Sequence, residues 1–123
     1  MYQITHKTNN KNYDLEERTF KFAQDVIKYV RALPKTVSNI EIGKQLIRSG
    51  CSVGANYIEA NEALGKKDFF MRIRICKKEA KESRYWLKLS EPNESQLKEK
   101  SRLIQETNEL MKIYGSIAEK AKN

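Results

Sequence analysis

Phe69, Ile73, Cys76, Ala80, Ser83 and Leu87 recur at spacings that alternate four and three. That alternation lines small and apolar side chains along one side of an α-helix, and it is the seam of a helix packed nearly antiparallel to another. Only five Gly and two Pro punctuate the 123 residues, so long uninterrupted helices are permitted. A barrel or sandwich would carry more Val, Thr, Gly and turn pairs. The length suits one domain able to bury a core without disulfides or metal. With 39% hydrophobic and 33% charged residues, each helix can turn a narrow apolar stripe inward and a wide wet face outward.

The remaining helices follow from the same periodicity. Residues 1–12 are polar and aperiodic, a flexible N-terminal arm that holds the single histidine, His6. The four-helix bundle is expected over residues 13–123. Asp14, Glu16 and Glu17 place negative charge where a first helical turn favours it, and Phe20, Ala23, Ile27 and Val30 follow at helical spacing. Helix one is expected over about 14–32 and ends before Pro34. Ser38 with Glu41 has capping-box spacing and opens a second helix over about 38–62. Its apolar row is Ile42, Leu46, Val53, Tyr57 and Ala60, and a second row, Ile47, Cys51, Gly54 and Ile58, predicts neighbours on two sides. Gly50 and Gly54 let one neighbour come close. After a break at Gly65, Asp68 is expected to cap a third helix over about 68–90, and Asn93 a fourth over about 93–121. The inward side of helix four reads as Leu97, Leu103, Ile104, Leu110, Met111, Tyr114 and Ile117. Short connections make sequential helices antiparallel, so the expected fold is an all-α, up-down-up-down four-helix bundle.

Charge narrows the partners. A formal net charge of +8 favours polyanions such as RNA, DNA or an acidic protein surface. No apolar run approaches the roughly 18 to 20 residues needed to span a bilayer, and residues 1–7 carry no signal-like stretch, so the expectation is a cytoplasmic protein without a membrane. Cys51 and Cys76 lie inside apolar helical patterns and read as reduced core thiols.

The third helix has a second row. Arg74, Lys77, Lys81, Arg84 and Lys88 again alternate three and four, a cationic stripe roughly 21 Å long that lies about 100° from the core seam. Such a row can meet several backbone phosphates, and Phe70 at its start offers a stacking surface for an unpaired base. The bland alternative is a solvated face that keeps the protein in solution. A third face, Ile75, Glu79, Glu82, Trp86 and Leu89, is too apolar for open water and too acidic for a dry core. Antiparallel pairing about Gly65 puts Arg48 level with Glu82, and Ser52 and Asn56 near Glu79. A buried or half-buried structural network is expected from Arg48, Ser52, Asn56 and Glu59 with Glu79 and Glu82.

Catalytic constellations are wanting. Di-iron bundles need Glu-x-x-His pairs and nucleophilic systems need a histidine near Ser or Cys, yet the one histidine is in the arm. Gly50 and Gly54 lack the Lys-Ser or Lys-Thr of a phosphate loop. Leu46, Gly50, Ser52, Val53, Tyr57 and Ile58 superficially resemble a helix-turn-helix, but Asn56 stands where such motifs bury an aliphatic residue. No metal, no cofactor and no enzymatic activity are expected.

The run from Gln45 to Ala60, with Arg48-Ser49-Gly50-Cys51-Ser52-Val53-Gly54-Ala55-Asn56 at its centre, resembles the central motif of the bacterial four-helix-bundle proteins named for intervening sequences in 23S ribosomal RNA. So do Lys67-Asp68-Phe69-Phe70, Ile73, Lys78-Glu79-Ala80, Glu82 and Tyr85-Trp86-Leu87. The family is similar to the accessory variability protein of diversity-generating retroelements. Many relatives carry Glu-Gly where this chain has Glu59-Ala60, so continued helix is expected there. The resemblance, over roughly 15–117, implies a ring-like homopentamer with a basic surface, a nucleic-acid-binding role and no catalytic activity. The expected function is backbone-led binding of RNA or other nucleic acid through the stripe. The rival is an adaptor ring that recruits a protein such as a reverse transcriptase through the Trp86 and Leu89 edge.

Overall fold

A computed structural model describes residues 14–122, so the expected arm and its histidine lie outside the described residues. Four helices run in order: α1 (Leu15–Arg31), α2 (Val37–Asn61), α3 (Lys66–Leu89) and α4 (Leu97–Ala121), the last preceded by a 3-10 turn at Glu94–Gln96. Asp14 caps α1 by accepting from the amides of Glu16 and Glu17 at 2.8 and 3.1 Å. Two expected caps move. Thr36, not Ser38, caps α2 through the amide of Asn39 at 3.1 Å. Gly65 precedes α3, and Asp68 falls inside its first turn, where it still opposes the positive helix end. Asn93 and Gln96 form a capping box on the 3-10 turn.

Contacts between helices give the topology directly. Ser49 meets Ser83 and Asn56 meets Arg72, so residue numbers fall along α3 as they rise along α2. The same antiparallel sense joins Val30 to Gly43 and Thr19 to Gly54, Arg84 to Asn108, and Arg18 to Glu106. This is an up-down-up-down four-helix bundle in which α1 meets α4 only along a thin seam. α2 is continuous through Gly50, which removes the helix-turn-helix alternative, and continuous through Ala60. Among the described residues no helix is long and apolar enough to cross a membrane.

The α3 seam is buried over its whole length, from Phe69 to Leu87. It packs with Leu46, Val53 and Tyr57 of α2, and with Leu103, Leu110 and Tyr114 of α4. One expected inward position on α4 and the expected row on α1 are corrected. Leu97 is 50% exposed, because the α-helix begins there after a 3-10 turn that rotates it off the core. On α1 the buried row is Leu15, Thr19, Phe22, Val26 and Tyr29, whereas Phe20 is 65% exposed and Ala23, Ile27 and Val30 are half-buried. This buried side of α1 carries polar groups, Thr19 and Asp25. The fold satisfies them: Thr19 Oγ1 donates to the Leu15 carbonyl at 2.8 Å, and Asp25 is ion-paired.

Candidate nucleic-acid interface

The stripe on α3 forms as one row along the α3–α4 side of the bundle. Arg74, Lys77, Lys81 and Lys88 are exposed and Arg84 is half-buried. Among the described residues none of the five makes an ion pair with a carboxylate. Arg84 instead donates to the Asn108 side-chain oxygen at 2.7 Å. Lys77 reaches across to α4 at Gly115, where a methyl group in place of the glycine hydrogen would lie 3.3 Å from its Nζ.

Phe70 differs from its expected role. The guanidinium of Arg74 sits 5.7 Å from its ring centroid, so a cation covers one ring face. Any base stacking there meets the planar guanidinium, which also serves as a stacking surface.

Two cations missed by the single-helix reading come from α4. Lys112 shares a recess with Lys77 and Arg84, and Lys122 shares a groove with Arg74, Lys78 and Lys81. Lys122 pairs with Glu119 at 3.6 Å, so that groove contains one acid. No periodicity within α3 could have brought these in, because only the packing of α4 aligns them.

The expected polar network on the other side is smaller than six residues. Arg48 bonds Glu79 at 3.4 Å and also pairs with Glu82. Ser52 donates to the Arg48 carbonyl at 2.7 Å and Asn56 to the Ser52 carbonyl at 2.9 Å, so both serve their own helix. Asn56 accepts from Arg72, which the sequence reading missed, at 3.1 Å. Glu59 is exposed and takes no part in these bonds. The Arg48 side chain is 48% exposed and that of Glu79 12%, so the network is half-buried, wet at its outer edge. Trp86 is half-buried against the core with Tyr85 edge-on at 5.0 Å, and Leu89 is exposed.

On the opposite side of the bundle, Phe20, Ala23 and Ile27 of α1 line a shallow apolar strip with Cys51, Ala55 and Ile58 of α2. The signal for it was in the sequence, as the apolar row read on α1 and the second apolar row of α2. Cys51 is therefore a half-buried surface thiol and not a core one, unlike Cys76.

The 23S rRNA-intervening sequence protein family matches residues 11–116. The chain belongs to that family. A crystal structure of a protein of unknown function from the S23 ribosomal protein family of Bacteroides thetaiotaomicron superposes with a TM-score of 0.71. The two are 29% identical, and the match covers 84% of this chain and 96% of that one. No curated protein matches. For this member of the intervening-sequence family, then, lineage and bundle agree.

Proposed function

We propose that this protein is a non-catalytic binder of RNA or other nucleic acid, with Arg74, Lys77, Lys81, Arg84 and Lys88 meeting backbone phosphates and Arg74 over Phe70 offering a stacking face. The observation that carries the reading is the α3 row itself, without an ion pair to a carboxylate among the described residues and joined by Lys112 of α4 and Lys122 just beyond it. A net charge of +8 favours the same class of partner. Binding of this kind is led by counterion release and has weak sequence preference. RNA is favoured over DNA by the family resemblance alone.

Self-association belongs to the same reading, with the homopentamer taken from the resemblance. The apolar strip of Phe20, Ala23, Ile27, Cys51, Ala55 and Ile58 supports it, since a strip of this kind facing water is what a second copy would cover. Recruitment of a protein such as a reverse transcriptase through Trp86 and Leu89 has weaker support, because Trp86 is largely packed into its own bundle.

The test is a charge reversal, Lys77→Glu with Lys81→Glu and Arg84→Glu, assayed against single-stranded RNA. The triple variant is expected to lose binding at low salt while keeping its helix content, and wild-type affinity should fall steeply as salt rises. Undiminished affinity in the triple variant sinks the proposal.

A further inference from the structure

Where α3 and α4 lie side by side, the row Gln105, Asn108, Lys112 and Gly115 faces Lys77 and Arg84 across a recess. Spacings of three, four and three put these α4 residues on one face. The floor at Gly115 has no side chain, which lets the Lys77 ammonium settle between the two helices at the edge of the recess. No carboxylate lines the recess. The neighbouring Glu109 is engaged by the side-chain amide of Gln105 at 2.8 Å.

The cations around it are arranged as well as numerous. Asn108 accepts one N–H of Arg84 at 2.7 Å, which orients the planar guanidinium and leaves its other donors available. Lys77 Nζ lies just above Gly115. Lys112 stands between Asn108 and Gly115 along α4, so three positive groups border one open recess. A tetrahedral oxyanion suits such a site, because its oxygens can accept from a fork and two ammonium groups at once.

We propose that this recess is a phosphate seat, in which Lys77, Arg84 and Lys112 hold a single phosphate group and so fix the register of a strand along the stripe. The register role rests on the nucleic-acid reading above; the seat itself does not. The phosphate could come from a strand's backbone or from free phosphate, and the experiment separates these sources.

Two charge-preserving variants probe the seat. Gly115→Leu displaces the Lys77 ammonium from the floor with a residue that favours helix, and Asn108→Ala releases Arg84. Lys98→Gln, at an exposed position in the first turn of α4, controls for loss of a cation elsewhere. In amide NMR titrations of the full chain, inorganic phosphate is expected to give saturable shifts at Asn108 and Gly115, with chloride at matched ionic strength giving none. Both charge-preserving variants should lose the saturation and Lys98→Gln should keep it. In a fluorescence assay on a single-stranded oligonucleotide, Gly115→Leu should bind about tenfold more weakly, the scale of one charge-assisted contact. Inorganic phosphate should compete with the strand for wild type more strongly than for Gly115→Leu.

Non-saturating shifts identical to those with chloride, or saturation that survives in both variants, overturn the seat. Saturable phosphate binding with unchanged strand affinity in Gly115→Leu overturns its role in register. If the triple charge reversal leaves strand binding intact, the nucleic-acid reading fails, and the phosphate titration still decides the seat.

Discussion

Glycine in the middle of a helix costs up to about 1 kcal/mol relative to alanine, yet α2 carries Gly43, Gly50 and Gly54 along the side that meets α1. The close approach of α1 is what they permit. A methyl group on Gly43 would come within 2.8 Å of Val30 Cγ1, and one on Gly50 within 3.1 Å of Val26 Cγ1. At Gly54 it would lie 2.8 Å from Thr19 Oγ1 and 3.1 Å from Thr19 Cβ. Thr19 cannot simply swing aside, because its hydroxyl is committed to the Leu15 carbonyl. Gly54→Ala should therefore lower stability by about 1 to 3 kcal/mol in urea unfolding, the usual scale of overpacking, despite the gain in helix propensity. An unchanged or raised midpoint would show that α1 yields at no cost. The cysteines divide at the same scale. Burial pushes the Cys76 thiol up to about 12 and raises Cys51 as well, so both are protonated near neutral pH and poor nucleophiles.

Among the elements, α1 and α4 share the weakest apolar packing and the clearest ionic links. Arg18 holds Glu106 through two bonds of 2.7 and 2.8 Å. Farther along, Asp25 accepts from Lys21 at 2.9 Å and from Arg102 at 2.8 Å, and Arg102 also pairs with Glu99. Burial by itself would raise the Asp25 carboxyl, but the bonds from Lys21 and Arg102 outweigh it and hold the group below its ordinary value of 3.8. A carboxylate whose folded value is depressed contributes stability above its unfolded value, and that contribution fades as pH falls through the lower folded one. Asp25→Asn should thus lower the melting temperature at pH 7 by an amount equivalent to roughly 1 kcal/mol, since Arg102 is half exposed. As pH falls below 3.8 and through the lower folded value, the wild-type link is protonated away and the two proteins should converge. A gap that stays constant from neutral to acid pH would mean that the ion pairs contribute nothing specific.

At the scale of the whole molecule, charge and apolar surface lie on different sides. The cations gather along α3 and α4, while the strip of Phe20, Ala23, Ile27, Cys51, Ala55 and Ile58 lies between α1 and α2. A bundle that associates through the strip keeps its cation rows in water, and repeating them around a ring would multiply the contacts available to one long polyanion. Phe20→Glu with Ile58→Glu places charge on two residues that are 65% and 51% exposed, so the single chain should still fold. Light scattering is expected to give a multiple of the 14.4 kDa chain mass for wild type and the single-chain mass for the double variant. Equal masses for the two would remove the strip from any role in assembly.

Periodicity alone determined most of the architecture, because spacings of three and four can only line up on a helix. The number of helices, the full α3 seam and the cation row were all legible that way, and the helix limits differ from the periodic reading by one or two residues except at the start of α4. The buried side of α1 was not. The periodic reading took Phe20, Ala23, Ile27 and Val30, whereas the side that is buried depends on Arg102 of α4 reaching Asp25 and on glycines of α2 admitting Thr19 and Val26. Glu59, read as part of a network, points to water for a related reason: rotation about a helix axis is set by neighbours. The recess around Gly115 lay beyond any reading of one helix, since a space between two helices exists only after their packing has chosen which faces meet.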